Sequence, residues 1–162
     1  VNYLIKKGYT KIAYIAGPLN TRTARDRLDG YKKALVENNL RYEENLVMVG
    51  EYKAQWGSEA ALSLLESEQD FQAIFCGNDL IAIGAMKKLR EKKVTIPDDV
   101  AVMGFDDIYI SSLVDPELTT IKQPNYKMGF EAVRIMIDYL EGKEIEEKNI
   151  ILSTELIIRK SS

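Results

Sequence analysis

Apolar residues along this chain fall into short blocks, separated by longer stretches in which they recur every three or four positions. The block Lys11–Ala16 reads as a buried strand, and Thr23 to about Asn38 as a helix with Ala24, Leu28, Tyr31 and Leu35 on one face. Leu46–Val49 predicts a second strand and Trp56–Ser67 a second helix. Phe71–Cys76 and Val100–Phe105 predict two more strands, with a helix from about Asp79 to Glu91 between them. Strands that alternate with helices require crossover connections, and these give a mostly parallel sheet covered on both faces. The predicted class is α/β with a doubly wound sheet.

After Phe105 the rhythm changes. Pro116 and Pro124 bracket a short extended stretch, Leu118–Ile121, which is expected to connect two bodies. A long helix from about Tyr126 to Leu140 and an extended stretch from Ile150 to Ile158 follow. The first residues, Val1–Gly8, have the pattern of a helix's last turns, so the chain is expected to be a piece of a longer one.

Composition narrows the chemistry. With 162 residues, 46% of them hydrophobic, the chain can bury a core of its own. A net charge of -3 argues against a nucleic-acid surface within this segment. One cysteine, Cys76, excludes an intrachain disulfide and suits a reducing compartment. The absence of histidine removes Cys-His and Ser-His catalysis and the commonest transition-metal ligand. No apolar run approaches the length of a bilayer span.

The polar residues fall after the strands. Arg22 and Arg25 follow the first, Tyr52 and Trp56 the second, Asn78 and Asp79 the third, Asp106 and Asp107 the fourth. All therefore lie at carboxyl ends, the edge at which open parallel sheets bind ligands. Cation, amide, carboxylates and aromatic rings together suit a polyhydroxylated small molecule. Local readings remain open beside this one. Thr23 and Asp26 resemble a capping box, Arg25 can pair with Asp29, and Asn78 can cap the following helix. Arg27 is expected to support the loop through a carboxylate, and Arg22 to be exposed or to reach a phosphate. In the helix from Asp79, the residues Leu80, Ile81, Ile83, Met86 and Leu89 spread wider than one sheet-covering stripe, so part of that surface needs another partner.

Five segments, "YLIKKGYTKIAYIAGP", "GYKKAL", "AIFCGNDLIAIGAM", "IPDDVAVMGFDD" and "DPELTTIKQPNYKMGFEAV", resemble in order and spacing the effector-binding domain of the LacI/GalR family of bacterial transcription regulators. Tyr9 stands where several members have His. The resemblance implies a two-lobed, periplasmic-binding-protein-like fold. Residues 1–117 would be in the C-terminal lobe, 118–148 a crossing strand and helix of the N-terminal lobe, and 149–162 the return to the C-terminal lobe. It implies ligand contacts from Thr23, Arg25, Tyr52, Asn78, Asp106 and Gln123, and dimerisation through Ile83, Met86 and Val114. The implied protein is a cytoplasmic, dimeric, non-enzymatic regulator without cofactor or membrane segment. It would bind a sugar or sugar phosphate and meet operator DNA through an upstream headpiece. An extracytoplasmic sugar-binding protein of a transporter is the alternative reading.

Overall fold

A computed structural model describes residues 1–67, 69–144 and 149–162. Four strands, β1 (Ile12–Ala16), β2 (Val47–Val49), β3 (Ala73–Cys76) and β4 (Ala101–Met103), form a parallel sheet in the order β2-β1-β3-β4. The pairing sets Tyr14 against Val47 and Phe75, and Phe75 against Met103. β1, β3 and β4 are buried at every position, as expected of parallel strands with helices on both faces. Helices α1 (Asn2–Lys6) and α2 (Arg22–Glu37) cover one face, where Leu4, Tyr14, Leu28, Tyr31 and Phe75 form a core. Helices α3 (Ala54–Glu66) and α4 (Asp79–Glu91) cover the other, over Ile15, Leu64, Ile74, Ile81 and Val102.

From β1 the chain turns one way to β2 and later the other way to β3. The carboxyl ends of β1 and β3 therefore form a topological switch point, the place where helix-bearing loops diverge and leave a crevice. The site is built there.

The predicted strands and helices through β4, and α5, are found with ends displaced by no more than two residues. The larger difference lies after β4. Leu118, Thr119 and Thr120 are fully buried, and Leu118 belongs to the core beneath α3 and α4. The segment runs parallel to β4, with Gly104 N–H donating to Thr119 and Asp106 N–H to Ile121. This stretch is thus a fifth track of the lobe before it becomes a connection, and the chain leaves the lobe only around β5 (Thr120–Lys122). The cause is the buried apolar Leu118, which a free linker would leave in water. β5 pairs antiparallel with β6 (Glu155–Ile157), the part of the expected 150–158 stretch that forms a strand. Between them α5 (Asn125–Leu140) buries none of its residues and exposes Phe130, Val133, Met136 and Leu140. Residues 145–148 of the expected 118–148 unit lie outside the described residues. No helix among those described is long and apolar enough to cross a membrane.

α3 and α4 cross at two glycines. A Cβ on Gly84 would sit 1.8 Å from the Ala54 carbonyl oxygen, and one on Gly57 2.0 Å from that of Ile81. Both contacts are with backbone, which cannot turn aside as a flexible side chain does. Gly84→Ala is expected to destabilise the domain by about 2–3 kcal/mol in urea unfolding, the usual cost of an overpacked contact. Gly129→Ala, on the open face of α5 with nothing within 4 Å, is expected to be neutral or stabilising by up to about 1 kcal/mol.

Candidate functional site

The loop after β1 sets the first residues of the site. Thr21 caps α2: its hydroxyl accepts from Ala24 N–H at 3.3 Å and donates to the Pro18 carbonyl at 2.9 Å. The cap lies two residues before the one expected. Thr23 therefore sits in the first helical turn as an exposed residue lining the cavity described below. The three arginines then separate by helix phase. Arg22 points to solvent, 3.5 Å from the Asp26 carboxylate. Arg25 is also exposed and donates to the Leu19 carbonyl at 2.8 Å, bracing the turn; it meets neither Asp29 nor Asp106. Arg27 flanks the buried stripe of Ala24, Leu28 and Tyr31, and its side chain turns inward.

Arg27 reaches the loops after β2, β3 and β4 at the carboxyl edge. One terminal nitrogen donates to the Gly77 carbonyl after β3, and the other lies 3.2 Å from Asp106 Oδ1 after β4. The guanidinium carbon stands 3.9 Å over the Phe105 ring and 5.9 Å from the centre of Tyr52, which follows β2. Gln123, on the strand leaving the lobe, donates to the same Asp106 oxygen at 2.7 Å. The expected carboxylate partner of Arg27 is therefore Asp106. The arginine expected at the mouth was Arg25, and the structure puts Arg27 there instead. The sequence signal was helical phase: Arg27 lies one turn before Tyr31, on the edge of the buried face, while Arg25 lies outside it.

Asp106 and Asp107 both have left-handed backbones, with φ of 118° and 54°. Two such residues in succession reverse the chain sharply and send the two carboxylates to different partners. Burial pushes the Asp106 carboxyl above its ordinary value, against the pull of Arg27 and Gln123. Asp107 pairs with Arg159 at 2.7 Å, on the segment returning to the lobe.

Asn78 does what its local reading anticipates: its Oδ1 accepts from Ile81 N–H at 2.9 Å and caps α4. The cap fixes its position beside Gly77 and leaves the amide nitrogen available. Tyr52 packs against the backbone of Gly17, where a Cβ would lie 2.3 Å from its ring. Its hydroxyl and that of Tyr14 are buried without a hydrogen-bond partner in the protein. Trp56 donates from its indole nitrogen to the Ala16 carbonyl at 3.1 Å and so helps hold the end of β1. Tyr52 and Asp106 thus meet Arg27, Gln123 joins it through Asp106, and Asn78 follows Gly77, whose carbonyl Arg27 holds. A groove of about 560 Å³ opens beside this mouth, lined by Thr23, Arg27 and Gln123 at its polar end and by Val1, Phe75, Met103 and Leu156 along its apolar length.

Behind the mouth Asp79 is fully buried, accepting from Ser111 Oγ at 2.7 Å, Ile108 N–H at 2.9 Å and the Thr120 hydroxyl. It ties the start of α4 to the segment after β4 and to the departing strand. On the opposite side of α4, Ile83 and Val114 line a cavity of about 320 Å³, and the neighbouring Leu80, Tyr109, Ile110 and Leu113 are exposed. Met86 is only 3% exposed and packs into the core, so it meets this surface from beneath.

The fold and the mouth define a class: a lobe that gathers ligand-type side chains at a switch point and sends two strands away from it. The chain belongs to the periplasmic binding protein-like domain family, whose model matches residues 1–162. The transcriptional repressor PurR of Vibrio atlanticus is 34% identical over 159 residues, 98% of this chain and 48% of that protein. The repressor CytR of Escherichia coli is 35% identical over all 162 residues, again 48% of its length. Among solved structures, a complex of the transcriptional regulator CelR with cellobiose superposes with a TM-score of 0.95 at 35% identity, covering 99% of this chain and 49% of that one. These relatives are LacI-family regulators, and the chain spans about half their length, the C-terminal half.

Burial raises the Asp79 carboxyl above its ordinary value of 3.8, outweighing the hydrogen bonds from Ser111, Thr120 and Ile108. An acid that holds its proton more tightly when folded contributes most below its unfolded pKa, and that contribution is lost as pH rises through the folded pKa. Asp79→Asn is expected to flatten the fall in unfolding free energy as pH rises above about 4. The fall due to Asp106, shifted in the same direction, remains. Urea titrations at several pH values measure both slopes.

Proposed function

We propose that this chain is the effector-binding and dimerisation part of a LacI-type transcriptional regulator whose small-molecule effector is a sugar or sugar phosphate. The observation that carries the reading is the convergence on Arg27, which rises from the helix after β1, of residues from the loops after β2, β3 and β4. A guanidinium offers several donors in one plane, Asp106 and Gln123 supply acceptors and a further donor, and Phe105 and Tyr52 provide ring faces. Together they match the hydroxyls and the apolar face of a pyranose or furanose. Arg27 takes the role that the resemblance gave to Arg25, because it alone of the three arginines faces this mouth. Thr23 and Asn78 lie at its margins and complete the proposed contact set. The relatives are regulators of transcription, which favours this reading over a transport protein, and a cellobiose complex of one relative supports the sugar class.

In the intact protein α5 belongs to a second lobe, joined to this one through β5 and β6, and its closure buries the effector and alters the spacing of an upstream DNA-binding headpiece. The protein acts in the cytoplasm and performs no chemistry on its ligand. It forms a homodimer through α4 and residues 109–114, with Ile83 and Val114 in the interface and Leu80, Tyr109, Ile110 and Leu113 adding exposed apolar surface.

Titration calorimetry of the intact protein against a panel of neutral and phosphorylated sugars, cellobiose included, tests the site. Arg27→Ala is expected to lose about 1.5–3 kcal/mol, more than ten-fold in affinity, as a charge-assisted hydrogen bond is removed. Arg25→Ala is expected to bind as the parent does; the reverse ranking would move the site to Arg25. Charged substitutions at Ile83 and Val114 are expected to give monomers in sedimentation, and a dimer that survives both would place the interface elsewhere.

A further inference from the structure

Three aspartates in this lobe each hold a different piece of the chain that leaves or re-enters it. Asp79 takes the Thr120 hydroxyl, Asp106 takes the Gln123 amide, and Asp107 takes the Arg159 guanidinium. Only Asp106 also meets Arg27. The Asp107–Arg159 pair lies behind it, at 2.7 Å, with the two side chains 14% and 16% exposed. Arg159 does more than close an ion pair. Its other terminal nitrogen donates to the Leu118 carbonyl at 2.8 Å, and its backbone N–H donates to Thr119 Oγ1 at 2.9 Å. One residue of the returning segment thus binds the departing segment twice and the mouth loop once.

We propose that the Asp107–Arg159 pair is a positioning contact that transmits the state of Asp106 to the two strands by which the chain leaves and re-enters the lobe. The proposal rests on the effector reading above for its biological meaning and on the bonding pattern for its mechanism. Asp106 and Asp107 are adjacent, and both sit in left-handed conformations, a narrow well that leaves little freedom to absorb a displacement between them. A polyhydroxylated ligand competes for the donors that Arg27 and Gln123 now give to Asp106. Any reorientation of the Asp106 peptide moves the next residue, whose carboxylate is held in a largely dry ion pair. Arg159 carries that movement to Leu118 and Thr119 at the root of β5 and to the end of β6 next to it. The mouth is thereby joined to the returning strand through one peptide and one guanidinium, beside the direct bonds of Asp106 to Ile121 and Gln123 on the departing side.

Hydrogen exchange in the intact, ligand-free protein tests the coupling without any effector. Arg27→Ala, which releases Asp106 from its cation, is expected to speed amide exchange in residues 118–123 and 155–159 by about ten-fold. Asp107→Asn, which suits the left-handed backbone and removes the charge, is expected to speed the same segments. In the double variant the Arg27→Ala effect on 155–159 should disappear, because the route to that segment is already cut. Arg159→Met keeps the apolar stem but removes both side-chain donors to Asp107 and Leu118, so it should behave as Asp107→Asn does, with the rest of the lobe protected as in the parent. Additive effects in the double variant, or an Arg27→Ala effect confined to the mouth, would overturn the proposal and leave the pair a local brace. The sugar titrations are a separate arm: loss of binding there would sink the effector reading while leaving this coupling result standing.

Discussion

The contact on which the site depends is the placement of the Arg27 guanidinium between Phe105 and Asp106. A cation half withdrawn from water needs compensation, and this one has it three ways: the Asp106 carboxylate, the Gly77 carbonyl and two aromatic faces. These partners come from three loops at the carboxyl edge of the sheet, those after β2, β3 and β4. One side chain therefore fixes the relative positions of loops that are far apart in sequence. Because Asp106 also receives Gln123, the same ion pair reaches the strand that leaves the lobe.

This arrangement follows from the sheet order. β1 and β3 are neighbours whose outgoing loops diverge, so a long side chain rising from the second turn of α2 can cross the gap between them. The close contacts of Tyr52 on Gly17 and of Trp56 at the end of β1 hold the second loop against the same point. Asp79 anchors the underside, linking α4, the segment after β4 and Thr120 in one buried cluster. The mouth is thus braced on the sheet side and bonded to the departing strand on the other.

Much of this was legible before any coordinates. Alternating apolar blocks and helical stripes located four strands and their helices, because parallel strands buried on both faces leave a nearly uninterrupted apolar signature. The clustering of Tyr52, Asn78 and Asp106 at carboxyl ends followed from the same alternation. Three things were less visible. The choice between Arg25 and Arg27 turns on helix phase relative to the buried Ala24, Leu28 and Tyr31, which sets Arg27 at the edge of that face and Arg25 outside it. The burial of Leu118 beside β4 depends on tertiary pairing, and two flanking prolines pointed instead to a linker. Met86 reads as surface when the helix is viewed alone, and only the α3–α4 crossing at Gly57 and Gly84 shows that α4 is drawn close enough to bury it.

Membership of the periplasmic binding protein-like domain family and the likeness to LacI-type regulators give the geometry its biological setting. The account stands on Arg27 as the centre of the effector site. A crystal structure of the intact protein with a bound sugar from the screening panel tests this most directly. The account predicts ligand hydroxyls within hydrogen-bond distance of the Arg27 guanidinium and of Asp106, with a ring face on Phe105 or Tyr52. A sugar seated along the groove of α2, or against Arg25 with the Arg27–Asp106 pair untouched, would contradict it.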